Sequence, residues 1–186
     1  MFGQKDSIRK LNELLYRLVM IGRMRKSSPK RIEFGCGPNL TDGFVGCDIR
    51  WFPGVKYVCD AWKICSYVNY GVVEEIYSRH FLEHLTFHQA ELTIQCWTKI
   101  LKPSGTLRIC VPDIDYHIVQ FQSNNWDSPS EANPAWTVHQ HAIAGFWGWQ
   151  RESNTKLWDV HKSGYNLTML QIWLEKNGYQ YVERIP

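Results

Sequence analysis

The 186-residue chain contains no C-x-x-C pair, no internal repeat and no strong excess of either charge, with a formal net charge of +3. Its apolar stretch near the amino terminus is interrupted by Glu13 and Arg17, and no small-residue cleavage site follows. Neither a signal peptide nor a membrane span is therefore expected. Without a repeat, solenoid and propeller architectures fall away. The six cysteines, Cys36, Cys47, Cys59, Cys65, Cys96 and Cys110, sit mostly inside apolar runs and lack the paired spacing of zinc ligands. They read as buried thiols, with no metal site and a reducing, cytoplasmic setting expected.

What is present suits one globular domain. The hydrophobic fraction of 44% and charged fraction of 21% are ordinary, while nine tryptophans make the chain rich in aromatics. Charge is uneven along the sequence. Residues 1–31 carry nine Lys/Arg against two acids (+7), leaving twelve against sixteen (−4) for the rest. Ser7 can cap a helix that puts Ile8, Leu11, Leu15, Leu18 and Val19 on one face, so residues 1–30 are expected to form a basic helical arm. Such an arm could pack on its own domain, or contact a protein partner or a membrane surface.

From residue 31 onward, strand-like and helix-like segments alternate, the pattern of a mostly parallel sheet covered by helices. Strands are expected at 31–34, 44–47, 56–59, 72–77, 106–111 and 180–183. A helix is expected from Phe87 to Leu101, with Thr86 and Gln89 spaced as a capping box and Lys102-Pro103-Ser104-Gly105 as its break. Another should follow Asn166, bury Leu170, Trp173 and Leu174, and stop at Asn177-Gly178. The segment at about 117–165 is the least regular. It holds Trp126, Trp136, Trp147, Trp149 and Trp158 among several histidines and is placed to cover the sheet's ligand-binding edge.

The chemistry concentrates at strand ends. Ile32-Glu33-Phe34-Gly35-Cys36-Gly37-Pro38-Asn39 begins as a buried strand and turns on two glycines, which tolerate positive φ and let a ligand reach the backbone. The third glycine of the dinucleotide fingerprint is missing, since Gly37 is followed by Pro38-Asn39-Leu40. Asp48 ends the second expected strand, where a carboxylate can accept hydrogen bonds from both ribose hydroxyls of a nucleoside. Asp60 repeats this at the third strand, where it can accept from an adenine amino group while Ala61 and Trp62 offer apolar contact.

These blocks resemble the class I S-adenosylmethionine-dependent methyltransferase superfamily, and within it the compact proteins of the methyltransferase type-11 kind. The likeness runs from about Arg31 to Glu183. Glu33, Gly35, Cys36 and Gly37 look like the first motif, Asp48 with Ile49 the ribose-binding acid, and Asp60, Ala61 and Trp62 the adenine-binding segment. The run from Ser78 through His80 to Leu85 resembles the family's segment after the fourth strand. Lys102 to Leu107 resembles its turn into the fifth, with Ser104 where glycine is usual. Only thirteen positions separate Gly35 from Asp48, too few for a full crossover helix. The first helix is thus expected to be shortened to a turn, which resembles a compact subgroup encoded near saccharide-building genes in bacteria.

The resemblance implies a Rossmann-like α/β fold of about six strands and S-adenosyl-L-methionine as cofactor. It further implies methyl transfer to a small-molecule or saccharide acceptor by in-line displacement. The family's seventh strand would fall after Pro186, leaving an edge that a second copy could cover to make a homodimer. Candidate bases are Asp113, which also suits a helix cap, together with His161, His80 and His84. Asp113 and His161 are preferred for their places after the fifth strand and in the block His161 to Tyr165. No RNA-binding module accompanies the basic arm, so nucleic acid is not an expected partner. Two other readings stay open: a nicotinamide-dependent Rossmann oxidoreductase, and a non-catalytic nucleoside-binding module.

Overall fold

The computed structural model of the chain describes residues 26–150 and 159–185. Residues 1–25 of the expected helical arm and Trp158 lie outside them; residues 26–30 are not helical, and Ser27 makes a parallel bridge to Val68. The described residues form two compact units, one of 26–79 with Leu92–Ile109 and one of His80–Glu91 with 110–150 and 159–185.

The first unit is built on a sheet of β1 (Arg31–Phe34), β2 (Val45–Asp48), β3 (Val55–Val58), β4 (Val73–Arg79) and β5 (Leu101–Cys110), in the order β3-β2-β1-β4-β5. β1 runs parallel to both β2 and β4, and β2 parallel to β3. The order reverses at β1, so the switch point of this open sheet lies at the carboxyl ends of β1 and β4, the position where such sheets bind ligands. β1 alternates charged and apolar residues, yet its last three are buried because both faces are covered; Ile32 and Phe34 are fully buried, as is Ile76 of β4. Helix α1 (Phe87–Ile100) supplies Ile94 and Trp97 to this core, with the Trp97 ring 4.8 Å from that of Phe34. Each such buried side chain stabilises the unit by about 1.5–3 kcal/mol.

α1 starts as expected, with Thr86 and Gln89 exchanging backbone and side-chain hydrogen bonds in a capping box. Its first residue, Phe87, is exposed rather than part of the buried face.

As expected, the first crossover is shortened to turns: residues 35–44 include those closed by Asn39 N–H to Cys36 and Phe44 N–H to Thr41. Two expectations are corrected. The sheet has five strands, since 180–183 is not a strand. Tyr181 there has φ of 56° and lies almost wholly in solvent, and the Val182 carbonyl accepts from the Gln171 side chain. An alternating pattern without a face to bury does not make a strand. Second, the cysteines are not all buried thiols. Cys65, in the 3-10 turn Ala61–Ser66, and Cys96 on α1 form a disulfide with Cα atoms 5.8 Å apart, and Cys110 is exposed. Thirty-one residues separate the bridged pair, so no local spacing could reveal it.

The second unit holds α2 (Ile114–Gln122), α3 (Val138–Trp147) and α4 (Leu167–Lys176). Asn166 caps α4 by accepting from Met169 N–H, and Gly178 follows with φ of 90°. Of its expected buried residues, Leu174 is buried and Leu170 and Trp173 are half-buried. α3 arises inside the stretch expected to be least regular. Thr137 and Gln140 form a capping box at its start, and the spacing T-x-x-Q was visible in the sequence. α3 packs on α2 where Gly145 meets the His117 ring; a Cβ at Gly145 would lie 2.3 Å from two ring carbons. No helix among the described residues is long and apolar enough to cross a membrane.

Candidate active site

In the first unit, the residues proposed for the cofactor gather at the carboxyl ends of β1 to β4. Gly35 and Gly37, just after β1, have φ of 66° and 55°, a region that side chains with a Cβ avoid. A Cβ built on Gly37 meets no atom within 4 Å, so this backbone faces open space. The loop is braced from both sides by acids. Glu33 on β1 is buried and accepts from Thr41 N–H at 2.7 Å. Asp48, at the end of β2 and only 7% exposed, accepts from Gly37 N–H through Oδ2 at 3.0 Å and from Arg50 N–H through Oδ1 at 2.8 Å. Each carboxylate oxygen keeps a further acceptor site beyond these bonds.

Cys36 sits in this loop, packed with Val55 and Val58. Burial, reinforced by the Asp48 and Glu33 carboxylates, pushes its thiol up to about 12. It is therefore a small apolar spacer and not a nucleophile. Asp60 follows β3 and pairs with Lys63 at 2.7 Å on an exposed face, with Ala61 buried and Trp62 half-buried beside it. Ile49 is half-buried after β2. Ser78, in register with Phe34 at the end of β4, is fully buried, yet its hydroxyl has no hydrogen-bond partner among the described residues. The sequence did not single out Thr41, which acts through a backbone N–H group, or Arg50, which adds to its backbone N–H a guanidinium Nε 3.7 Å from Asp48 Oδ1.

The second unit holds the candidate bases. Asp113 accepts from Asp115 N–H as the cap of α2 and lies 3.3 Å from Arg184, so its carboxylate is engaged. The three histidines surround Glu83. His80 is exposed, with φ of 47°, and its Nδ1 is 3.3 Å from Glu83 Oε1. His84 and His161 stand edge to face with ring centroids 5.1 Å apart. His84 Nδ1 is 3.2 Å from the Val160 carbonyl and His161 Nδ1 is 2.8 Å from that of Gly145. A carbonyl only accepts, so each Nδ1 carries a proton, and Nε2 is the nitrogen left for an incoming proton or ligand. Burial pulls the His161 imidazole below its ordinary value, which favours the neutral form.

A cavity of about 460 Å³ lies within this unit, lined by His80, His117, Trp136, His141, Trp149 and His161 among others. Trp136 and Trp149 stack at 3.9 Å, and Trp126 stacks on His139 at 4.1 Å. In the cavity wall, His117 donates to Gln120, whose amide donates to His141 Nδ1, each at 3.1 Å; the Ser130 hydroxyl is also 3.1 Å from that nitrogen.

No protein-family model matches the chain, and no curated protein matches it. Among solved structures, it shares its fold with an S-adenosylmethionine-dependent methyltransferase from Archaeoglobus fulgidus. The TM-score is 0.51 at 16% identity, over 92% of this chain and 69% of that one. Two structures of phosphoethanolamine N-methyltransferase 2 from Haemonchus contortus also match, each with TM-score 0.44, 14% identity and 36% of that chain covered. One is a complex with phosphomonomethylethanolamine and S-adenosylhomocysteine, covering 90% of this chain, and the other a complex with S-adenosyl-L-methionine, covering 87%. The chain thus has the Rossmann-like fold found in class I methyltransferases.

Proposed function

We propose that the chain is an S-adenosylmethionine-dependent methyltransferase acting on a small-molecule or saccharide acceptor. The observation that carries this reading is Asp48, a buried carboxylate tied to the glycine turn through Gly37 N–H with acceptor capacity left over. That capacity suits the two ribose hydroxyls of a nucleoside. Asp60 at the next strand end suits the adenine amino group, with Lys63 free to swing away because both groups are partly exposed. The open space at Gly37 fits a ligand lying along this edge.

The bound cofactor supplies an already activated methyl group on a sulfonium sulfur. The remaining work is placement of the acceptor, which can lower a barrier by roughly 7–11 kcal/mol. A hydroxyl acceptor also gains from a base, worth about a hundredfold to ten-thousandfold. Among Asp113, His80, His84 and His161, His161 suits this best, since its Nε2 is left for an incoming proton while Asp113 is engaged by Asp115 and Arg184. The paired faces of Trp136 and Trp149 suit the C–H surface of a sugar or another flat apolar group.

A thermal-shift titration tests the cofactor. Stabilisation by S-adenosylmethionine or S-adenosylhomocysteine, and none by NAD, is expected; the reverse pattern would identify a nicotinamide oxidoreductase instead. Release of S-adenosylhomocysteine across sugars, phenols and amines then identifies the acceptor. Cofactor binding with no turnover against any of them would mark a binding module. His161→Ala should lower turnover more than cofactor affinity.

A further inference from the structure

We propose that Glu83, His84 and His161 form a binding site for a divalent cation of the zinc class, a function that stands whether or not the chain transfers methyl groups. The three side chains each present one ligand atom, and these atoms lie within 4.8 Å of one another. Two imidazole nitrogens and one carboxylate oxygen make a donor set suited to borderline first-row ions, with at least one position left open to water. Metal–nitrogen and metal–oxygen bonds of about 2.0–2.2 Å put the ligand atoms of a tetrahedral ion about 3.3–3.6 Å apart, so the widest pair must close by roughly 1 Å or more on binding.

Two independent features point to a ligand at this place. Glu83 is 1% exposed, and neither of its carboxylate oxygens accepts a hydrogen bond from the described residues; His80 stands 3.3 Å from Oε1 without making one. A buried carboxylate left in this state is costly unless a cation faces it. The histidines, in turn, are oriented as metal ligands are. Each donates its Nδ1 proton to a backbone carbonyl, His84 to Val160 and His161 to Gly145, which fixes the ring and aims the lone pair of Nε2. The segment is also held rigidly. Lys162 and Ser163 N–H groups bond the Glu83 carbonyl, and the Ser163 hydroxyl bonds that of Leu82. No sequence motif announces this site, because Glu83 and His84 are adjacent while His161 is 77 positions beyond His84.

A cation on His161 and proton acceptance by His161 compete for one lone pair, and a zinc titration of the full chain without cofactor separates them. Calorimetry with zinc chloride should show one equivalent bound per chain. His84→Ala and His161→Ala should each weaken binding by roughly a hundredfold or more, and Glu83→Gln, which keeps the side-chain shape, should do the same. Cobalt(II) added to the chain should give a visible absorption spectrum typical of nitrogen and oxygen ligation, lost in the two histidine variants. Should Glu83→Gln fail to fold, the histidine variants and the cobalt spectrum still decide. Absence of zinc binding to the folded chain would overturn the proposal, as would binding and spectrum left unchanged in both histidine variants.

Discussion

Replacing Asp48 with alanine should damage the protein in two separable ways. The carboxylate accepts two backbone N–H groups, at 3.0 Å from Gly37 and 2.8 Å from Arg50, in a position 7% exposed. Alanine leaves both donors without this acceptor, at about 1–3 kcal/mol for each one that stays dry. In a chain of this size that lowers the unfolding temperature by several degrees, at roughly 2–4 °C per kcal/mol. The same carboxylate is proposed to take the ribose hydroxyls, so cofactor affinity should fall by about 2–5 kcal/mol, or roughly thirtyfold to a few thousandfold. Asp48→Asn keeps one side-chain oxygen and loses the charge. It should therefore recover part of the stability while remaining deficient in binding, since charge-assisted hydrogen bonds are about twice as strong as neutral ones. Thermal unfolding without ligand and calorimetry with S-adenosylhomocysteine read the two effects independently. A folded Asp48→Ala variant that binds within twofold of the wild type would refute the ribose assignment.

Other outcomes follow from local packing and charge. Gly145→Ala places a Cβ 2.3 Å from the His117 ring. It should destabilise by about 1–3 kcal/mol in chemical denaturation, and the double variant with His117→Ala should recover much of the loss; strict additivity would mean that the two helices do not meet there. Burial lowers the His117 imidazole below its ordinary value, so the unfolded chain takes up a proton that the folded chain refuses. His117 therefore stabilises the fold above about pH 6.5, and that contribution is lost as pH falls towards the lowered folded value. Melting temperatures measured across this range should drop on the acid side, less steeply in His117→Gln; equal slopes would discount His117. With its thiol pushed up to about 12, Cys36 holds roughly one part in ten thousand as thiolate at pH 8. Iodoacetamide mapped by mass spectrometry should thus label the exposed Cys110 and spare Cys36.

The sheet and the turns at its carboxyl edge were legible because periodicity and turn chemistry act locally. The run 31–34, the capping boxes at Thr86 and the caps at Asp113 and Asn166 each bury or satisfy groups a few residues apart. The same locality explains the misreadings. Tyr181 and Val182 have the composition of a strand, yet no strand among the described residues pairs with them. The Cys65–Cys96 bridge depends on a 3-10 turn and α1 meeting across 31 residues. At the cofactor edge, Gly35, Gly37, Asp48 and Asp60 were visible as residue types at strand ends, whereas the backbone braces from Thr41 and Arg50 were not, because any residue supplies a backbone N–H. The Glu83 cluster escaped for a related reason: three ordinary side chains acquire meaning only once His161 folds back against the Leu82–His84 turn.

The most direct test of cofactor use is a calorimetric titration of the full chain with S-adenosylhomocysteine, repeated with NAD. One S-adenosylhomocysteine per chain, with saturating heat that Asp48→Ala largely abolishes and no heat from NAD, is the predicted result. A folded chain that shows no S-adenosylhomocysteine binding at about 1 mM ligand, where even roughly 4 kcal/mol of binding free energy would register, would contradict it.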